Sequence, residues 1–397
     1  MMGYHVWCCA LASFFVFVLA VSSRAAEGPT TSQPATGPAG TVRMYIGTYM
    51  APKSKGIYTL QLDLASGALT KPEMAGEAVN PSFLALHPSG KYLYAVSEVA
   101  SFDGLKTGAV SAFAIDGKTF QLRLLNQKAS EGIGPCHLIV DRDGKNVLVA
   151  NYSGGTLAVL PIDSGGMLLL PADIRRHKDQ IEAAGKAQPH AHSINLDAAG
   201  KFAFAADLGL DRIFIYRYDS ATGKLTPADP PAAALPPKSG PRHFAFRPDG
   251  KFAYVINETA NTVVAFAYDA TAGKLTEVQS ISTLPAGFKG ESFTAEVQVH
   301  PSGKFLYGSN RGHDSIAVFA IDAETGKLSS IEYKSTQGKT PRNFGIDPTG
   351  AFLVAANQGS GTLVVFRIDA ATGKLTPTGS TAEIPAPVCV KFLQAAK

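Results

Sequence analysis

Cysteine and tryptophan are scarce in this sequence. Four of its 397 residues are cysteine, and the single tryptophan, Trp7, lies in an apolar stretch near the N-terminus together with Cys8 and Cys9. The rest of the chain holds only Cys136 and Cys389, too few for a disulfide framework, and we expect both to be buried thiols. Because the remainder has no tryptophan, it does not fit repeat proteins built on Trp-Asp pairs or on tryptophan docking.

The chain also lacks any concentration of charge of one sign. Its formal net charge is +4, charged residues make up 17% of it, and lysine and arginine are scattered singly or in pairs. Nucleic-acid binding needs a basic patch, so no nucleic-acid partner is predicted. With 45% hydrophobic residues the chain is too apolar for a disordered protein, and its length suits one large domain or two to three ordinary ones.

The N-terminus has the pattern of an export signal. Val6–Val21 is an uncharged apolar run of 16 residues, which is short for a membrane span. Small residues, Ser23 and Ala25, follow it at the cleavage positions. We therefore predict a signal peptide over residues 1–26, with an uncleaved N-terminal anchor as the alternative.

A stretch rich in proline, glycine, threonine and serine follows the signal. It predicts a flexible linker over residues 27–40 and leaves residues 41–397 for the folded domain. We expect the mature protein to be periplasmic or extracellular, with no stable membrane insertion once the signal is removed.

A unit of about 50 residues repeats along the folded domain. One half of each unit is a strand, a glycine turn and a second strand, as in PSFLALHPSGKYLYAVSE from Pro81 and PRHFAFRPDGKFAYVINE from Pro241. Runs of Val, Ile, Phe, Tyr and Ala predict the strands. The turn glycines of these inner hairpins are Gly90, Gly144, Gly200, Gly250, Gly303 and Gly350. A second hairpin type lies between them, so each unit has four predicted antiparallel strands, the size of a propeller blade.

The two ends of the domain predict how the ring closes. The strand PVCVKFL from Pro387 ends the chain without a partner, and MYIGTY from Met44 begins the fold as an orphan second strand. Pairing of Met44–Tyr49 with Val388–Phe392 would complete a seventh blade and remove two exposed strand edges. No segment shows a sustained helical period, so we predict an all-β, seven-bladed β-propeller with four antiparallel strands per blade.

One end of the inner hairpins varies from blade to blade. The turn end is monotonous and is interpreted as structural, whereas the opposite end carries different polar residues in different blades. Seven such ends would surround one mouth of a central channel. The candidate site residues at these positions are Glu98, His137, His192, Arg242, His243, Glu258, Glu296, Arg311 and Arg342.

These residue types indicate a site for an anionic small molecule. A guanidinium binds carboxylate or phosphate through two hydrogen bonds, and a carboxylate beside an imidazole favours proton transfer. The alternative is that the arginines and glutamates form salt bridges that lock neighbouring blades. His190 and His192 could ligate a metal, but no further cluster at metal-ligand spacing accompanies them, so neither a metal nor a cofactor is predicted.

Five segments carry a resemblance to known proteins: GPCHLIVDRDGKNVLVANYSGGTLAVLPI, PHAHS, GPRHFAFRPDGKFAYVINE, SNRGHDSIAVFAID and GKTPRNFGIDPTG. They resemble the seven-bladed propeller lactonase family, which includes bacterial propeller-type 6-phosphogluconolactonases and fungal carboxymuconate cyclases, and the resemblance covers about Arg43–Leu393. It implies hydrolysis or formation of a lactone ring without a redox cofactor. Carried across by motif, the catalytic residues are His192 (with His190 possible), Arg242, Glu258 and Arg311.

The resulting hypothesis is a lactone hydrolase of the 6-phosphogluconolactonase type that acts on a sugar or aldonic acid lactone at the channel mouth. Water would attack the carbonyl with Glu258 or His192 as general base, while Arg242 and Arg311 hold the anionic group and the oxyanion. The residues assigned to substrate binding are Glu98, His137, His190, His243, Glu296 and Arg342. A muconate-type lactonizing cycloisomerase and a non-catalytic ligand- or protein-binding propeller are the alternatives. Since 6-phosphogluconolactone is cytosolic, an exported enzyme would act on another lactone.

Overall fold

The computed structural model of the chain describes residues 1–3, 40–49, 54–180 and 187–393. The predicted signal peptide and linker lie outside the described residues, apart from residues 1–3 and residue 40. From residue 40 onward the described chain forms one compact unit. Its one helical segment is a short 3-10 helix, His177–Gln180, and no helix in the described ranges is long and apolar enough to cross a membrane.

The described strands pair into seven antiparallel sheets of four strands, the blades. The first three strands, which belong to blade 7, are β1 (Thr41–Thr48), β2 (Gly56–Asp63) and β3 (Glu73–Glu77). Blade 1 contains β4 (Leu84–Leu86), β5 (Tyr92–Ser97), β6 (Ala109–Ile115) and β7 (Leu122–Ala129). Blade 2 contains β8 (Pro135–Val140), β9 (Asn146–Asn151), β10 (Thr156–Pro161) and β11 (Asp173–Arg176). Blade 3 contains β12 (Ala191–Leu196), β13 (Phe202–Asp207), β14 (Arg212–Asp219) and β15 (Lys224–Ala234).

The remaining blades follow the same order. Blade 4 contains β16 (Pro241–Phe246), β17 (Phe252–Asn257), β18 (Thr262–Asp269) and β19 (Lys274–Ser282). Blade 5 contains β20 (Phe293–Val299), β21 (Phe305–Arg311), β22 (Ser315–Ile321) and β23 (Leu328–Ser335). Blade 6 contains β24 (Pro341–Ile346), β25 (Phe352–Asn357), β26 (Thr362–Ile368) and β27 (Leu375–Glu383). Blade 7 joins β28 (Pro387–Phe392) to β1, β2 and β3.

The blades form a closed ring around a central channel. The innermost strands are β4, β8, β12, β16, β20, β24 and β28, and each contacts the innermost strand of the next blade, with β28 contacting β4. In blade 7, C-terminal β28 pairs antiparallel with β1, so that Met44 lies opposite Phe392 and Ile46 opposite Val390. The seven-bladed fold and its closure by the two chain ends are therefore confirmed.

Glycine turns build the monotonous end of the inner hairpins. Gly144 adopts a φ of 70°, which disfavours other residues, and its N–H donates to the Asp141 carbonyl at 3.0 Å. The Asp141 Oδ1 accepts the N–H of Lys145 at 2.7 Å. Backbone and side chain together set this turn, as expected for a structural element.

Buried tyrosines join neighbouring blades. The hydroxyl of Tyr94 in blade 1 donates to the Gly166 carbonyl in blade 2 at 3.0 Å, and Tyr254 in blade 4 donates to the Gly326 carbonyl in blade 5 at 3.1 Å. The equivalent donors at two further junctions are Tyr45 and Tyr307. Each phenol thus satisfies its hydrogen bond across a blade junction while its ring fills the core between the sheets.

Most inner strands carry a β-bulge near their beginning. In blade 4 the pairing passes from Pro241–Asn257 directly to His243–Ile256, so Arg242 has no partner on β17. A bulge bends the strand and re-aims the extra side chain. The residues skipped by the equivalent shifts are Cys136, His192, Ala295 with Glu296, Arg342 and Val388.

Removal of β1 tests the ring closure. A chain that begins at Gly56 lacks the fully buried side chains of Met44, Tyr45 and Ile46 and leaves β28 without its partner. Because each lost core side chain costs about 2–5 kcal/mol, we expect thermal unfolding by circular dichroism at least roughly 10 °C below that of a control chain beginning at Gly40. Equal melting temperatures for the two chains would contradict the closure account.

Candidate active site

Most of the bulge residues converge on a small cavity of about 10 Å³ at the mouth of the channel, here called the mouth cavity. Its lining consists of Tyr49, Ser82, Phe83, Glu98, Cys136, His192, Arg242, His243, Arg342 and Val388. Five of these residues are bulge residues from five different blades. The irregularity of the inner strands therefore supplies much of the wall of the site.

Glu258 lies between two arginines at this mouth. Its carboxylate accepts a hydrogen bond from Arg242 Nε at Oε2, at 2.9 Å, and lies 3.0 Å from Arg311 Nη2 at Oε1. Arg242 belongs to the same blade as Glu258, whereas Arg311 ends β21 of blade 5. Backbone carbonyls orient both arginines, because Arg242 Nη1 donates to Ala295 at 2.7 Å and Arg311 Nη2 donates to Thr294 at 2.8 Å.

The charges of this cluster support one another. Burial of the Glu258 carboxyl opposes its ionisation, but the charges of Arg242 and Arg311 outweigh burial and lower the pKa of Glu258 below its ordinary value. Burial, with the neighbouring charge of Arg242, lowers the pKa of Arg311 to about 10. Glu258 is thus a carboxylate and Arg311 a guanidinium at neutral pH.

A second network holds Arg342 on the opposite wall of the mouth cavity. Arg342 Nη2 donates to the Tyr49 hydroxyl oxygen at 3.0 Å, and that hydroxyl donates to Glu98 Oε2 at 2.8 Å. Ser82 Oγ donates to the same carboxylate oxygen. Burial acts to lower the pKa of Arg342, but Tyr49 and Glu98 outweigh burial and raise it. This third guanidinium is therefore held in place and charged.

His192 lies between Cys136 and Glu258. Its Nδ1 is 3.6 Å from Cys136 Sγ, and its Nε2 is 3.8 Å from Glu258 Oε2. Burial, followed by the charge of Arg242, holds the pKa of His192 well below its usual range, so the imidazole is neutral. Burial also raises the pKa of the Cys136 thiol, which agrees with the prediction of a buried thiol.

A second cavity, here called the deep cavity, is lined by residues further along the innermost strands from the mouth, such as Ile139, Phe246 and Val299. Phe83 and His243 line both cavities. His243 Nδ1 lies 3.1 Å from Glu296 Oε2, and Asn343 Nδ2 donates to the same oxygen. Lys391 Nζ lies 4.4 Å from the centre of the Phe83 ring. Burial raises the pKa of Glu296 to about 7, and burial together with Arg242 holds the pKa of His243 well below its usual range.

The four residues predicted to be catalytic lie together in one cluster. His192 and Arg242 line the mouth cavity, and Glu258 links Arg242 to Arg311. Salt bridges that lock neighbouring blades, the alternative interpretation, also occur here, because the Arg311–Glu258 pair joins blades 4 and 5. The catalytic roles themselves remain predictions.

The residues predicted to bind substrate separate into three places. Glu98, His243 and Arg342 line the mouth cavity, whereas His137 and Glu296 line the deep cavity. His190 lies in a different surface pocket, where its ring stacks on Tyr152 with the ring centres 4.5 Å apart. Its Nδ1 faces the Tyr152 carbonyl at 3.1 Å, and no three His, Cys, Asp or Glu side chains in the described ranges are grouped to hold a metal.

Tyr49 and Lys391 were missed in the sequence. Tyr49 follows β1 as Glu258 follows β17, so extending the repeat alignment to the orphan strand MYIGTY would have found it. Lys391 sits inside β28, three residues beyond the bulge residue Val388, where the corresponding residue of β16 is Ala245. Only its position on an innermost strand indicates that this lysine lines the channel.

Comparisons with known proteins agree with this architecture. A model of the family described as "Lactonase, 7-bladed beta-propeller" matches residues 43–392. The chain is 39% identical over 349 residues to the 6-phosphogluconolactonase of Bacillus subtilis, covering 88% of this chain and 97% of that protein. It is 34% identical over 311 residues to the 6-phosphogluconolactonase of Formosa agariphila, covering 77% and 86%. The structure of the periplasmic gluconolactonase PpgL of Pseudomonas aeruginosa matches with a TM-score of 0.82 and 33% identity, covering 89% of this chain and 99% of that one.

Glu258→Gln tests the electrostatic balance of the mouth. The variant leaves two buried guanidiniums without their carboxylate, so we expect it to lose roughly 3 kcal/mol of unfolding free energy at pH 7, measured by urea denaturation. The folded-state pKa of Glu258 is lowered, so its stabilisation is full above the unfolded pKa and is lost as pH falls through the folded value. The difference in unfolding free energy between Glu258→Gln and wild type should therefore become smaller at acidic pH.

The matched control for this variant is Glu277→Gln, which alters an exposed carboxyl on the outer strand β19. We expect it to stay within about 0.5 kcal/mol of wild type. A Glu258→Gln protein as stable as this control at pH 7 would show that the arginine contacts contribute nothing to the fold.

Proposed function

The chain belongs to the seven-bladed β-propeller lactonase family, and we propose that it hydrolyses a small anionic lactone at the channel mouth, beside the mouth cavity. The observation that carries this proposal is the convergence of Arg242, Arg311 and Arg342 around neutral imidazoles at one mouth of the channel. Three guanidiniums face two carboxylates, Glu98 and Glu258, so the mouth has a formal positive charge. Such a concave positive site concentrates anionic substrates.

The geometry supplies the parts that lactone opening needs. A water molecule attacks the lactone carbonyl, a base takes one of its protons, and the negative charge that develops on the carbonyl oxygen is stabilised by guanidinium donors; one preorganised donor is worth roughly 2.7–4 kcal/mol. The acyl–oxygen bond of the ring then breaks, and the ring oxygen receives a proton and becomes a hydroxyl. The product is a single hydroxy acid, whose carboxyl group ionises in water.

The environment of each candidate base differs. Glu258 is held as a carboxylate by two arginines, which makes it a poor proton acceptor. His192 and His243 both line the mouth cavity, and burial keeps both imidazoles neutral, the state that can accept a proton. The base is therefore assigned to an imidazole, with Glu258 orienting Arg242 and Arg311.

A sugar or aldonic acid lactone is the proposed substrate class. The relatives named above are the 6-phosphogluconolactonases of Bacillus subtilis and Formosa agariphila and the periplasmic gluconolactonase of Pseudomonas aeruginosa. These names favour hydrolysis over the cycloisomerase and the non-catalytic binding alternatives. The arginines of the mouth accommodate the carboxylate product and, in a phosphorylated substrate, the phosphate.

Residues 1–26 are proposed to direct the protein out of the cytoplasm. The uncharged apolar run Val6–Val21 supports this proposal, as does the similarity to the periplasmic gluconolactonase of Pseudomonas aeruginosa. We expect N-terminal sequencing of protein recovered from the periplasm of an expressing bacterium to begin near residue 27. Recovery of the full-length chain from the cytoplasm alone would contradict export.

A panel of lactones followed by pH-stat tests the activity. The panel contains phosphorylated and unphosphorylated aldonic lactones and simple alkyl lactones, and we expect acid release in proportion to enzyme concentration on an aldonic lactone. Acid release at the uncatalysed rate across the whole panel would favour the binding alternative.

Arg242→Ala tests whether the mouth performs this activity. Loss of a buried arginine at the anion site should raise the activation free energy by roughly 2–5 kcal/mol on the best lactone. The control is Arg123→Ala, which removes an exposed guanidinium on the outer strand β7. It should change the activation free energy by less than about 0.5 kcal/mol. A lower melting temperature with unchanged turnover below the melt would leave Arg242 with a structural role only.

A further inference from the structure

We propose that His243, held by Glu296, is the general base of the site, and that this carboxylate–imidazole pair acts as one proton-transfer unit. The inference rests on the proposed function, since it names the group that takes the proton from the attacking water. The sequence assigned both residues to substrate binding. Their positions in the channel instead favour a role in proton transfer.

The pair spans the two cavities of the channel. His243 lines both the mouth cavity and the deep cavity, whereas Glu296 lines the deep cavity alone. His243 Nδ1 is 3.1 Å from Glu296 Oε2, and Nε2 has no hydrogen bond to any described residue. One ring nitrogen is therefore anchored by Glu296, while the other has no partner among the described residues and is free to accept a proton from a water molecule.

Glu296 is itself fixed by the neighbouring blade and by its own strand. Asn343 Nδ2 on β24 donates to Oε2, the Val297 N–H donates to Oε1 at 3.1 Å, and the Glu296 N–H donates to Ser309 Oγ at 3.0 Å. The two-residue bulge on β20 contains Glu296. A buried carboxylate held in this way selects the tautomer of the imidazole and stabilises the imidazolium that forms when the ring accepts a proton.

His192 has no comparable support. Its Nδ1 lies 3.6 Å from the sulfur of Cys136, a weak partner, and its Nε2 faces Glu258 at 3.8 Å. Both oxygens of Glu258 are already engaged by Arg242 and Arg311. The two histidine rings lie beside each other, with centres 5.5 Å apart, so His192 is placed to contact the substrate while His243 moves the proton.

Titratable and charged groups from several strands face the pair. They are His137 on β8, His192 on β12, Arg242 on β16, Glu258 after β17, Arg342 on β24 and Lys391 on β28. The cations Arg242 and Lys391 oppose protonation of His243 and favour ionisation of Glu296. Burial acts against ionisation of Glu296 and raises its pKa to about 7.

The proton balance of the step follows from this arrangement. With Glu296 ionised, His243 carries its proton on Nδ1 and presents the lone pair of Nε2 to water. Nε2 takes one water proton as the hydroxide oxygen bonds to the lactone carbon, and the acyl–oxygen bond then breaks. Nε2 returns the proton to the departing ring oxygen, which regenerates the neutral imidazole. With Glu296 protonated, its hydroxyl donates to Nδ1, Nε2 carries the proton, and no lone pair is available.

The pH profile of kcat/KM tests the pair on the lactone that the panel identifies. We expect the wild-type value, corrected for uncatalysed hydrolysis, to rise through pH 7 as Glu296 ionises. Glu296→Gln and His243→Asn should each lower kcat by roughly 100-fold or more, with little change in KM, and Glu296→Gln should lose the rise near pH 7. Because the two residues act as one unit, the double variant should be no slower than His243→Asn.

Two controls separate this role from structural or binding effects. Glu277→Gln changes an exposed carboxyl on β19 and should keep the wild-type kcat and pH profile. Melting temperatures of all variants show whether each remains folded at the assay temperature. A raised KM with wild-type kcat in Glu296→Gln and His243→Asn would overturn the proposal in favour of simple substrate binding.

A readout without turnover keeps this proposal distinguishable from the proposed function. In ¹⁵N-histidine NMR, the signals missing from His243→Asn identify His243. At pH 8 its Nε2 should be unprotonated, and wild type but not Glu296→Gln should gain a proton there below about pH 7. An Nε2 that stays protonated at pH 8 overturns the pair. If wild type hydrolyses no lactone, the proposed function fails and His243 loses its role as base. The NMR result still decides whether Glu296 sets the tautomer of the His243 ring.

Discussion

Half of the residues that line the mouth cavity come from places where the backbone of an innermost strand departs from regular pairing. A regular strand would alternate its side chains between the two faces of the blade, where they would pack against neighbouring blades. The bulge at Arg242 and its equivalents interrupts this alternation at one level of the ring. The bulge positions of different blades therefore supply different side chains to the cavity wall, from the Cys136 thiol to the Arg242 and Arg342 guanidiniums.

Such a ring can hold several buried charges only if its blades do not move apart. Tyrosine hydroxyls bonded across blade junctions and the pairing of β1 with β28 keep the sheets at fixed separation. Within this frame, Glu258 neutralises part of the charge of Arg242 and Arg311. The same ion pairs stabilise the fold and set the electrostatic potential of the site. Arg242 and Arg311 can therefore form structural salt bridges and take part in the proposed site at the same time.

The repeats made most of the fold predictable, because every blade contains the same hairpin pattern. The two unpaired strands at the ends of the domain, β28 and β1, then predict each other as partners. The repeat alignment also placed His192, Arg242, Glu258 and Arg311 at one mouth, where the structure brings them together. It could not separate the mouth cavity from the deep cavity. Glu296 and His243 occupy equivalent positions in the alignment, which could not show that their side chains contact each other across the junction of blades 4 and 5. The alignment likewise could not show that His190, just before β12, stacks on Tyr152 and lines a different pocket from His192.

The central claim is that the arginines of the mouth bind the carboxylate end of an opened lactone. Its most direct test is a crystal structure of the protein with an aldonic acid, the reaction product, bound from solution. The account predicts the carboxylate within hydrogen-bond distance of at least one of Arg242, Arg311 and Arg342, with His243 Nε2 facing the hydroxyl that was the ring oxygen. A well-ordered aldonate bound elsewhere on the propeller, with the mouth cavity holding only water, would contradict it.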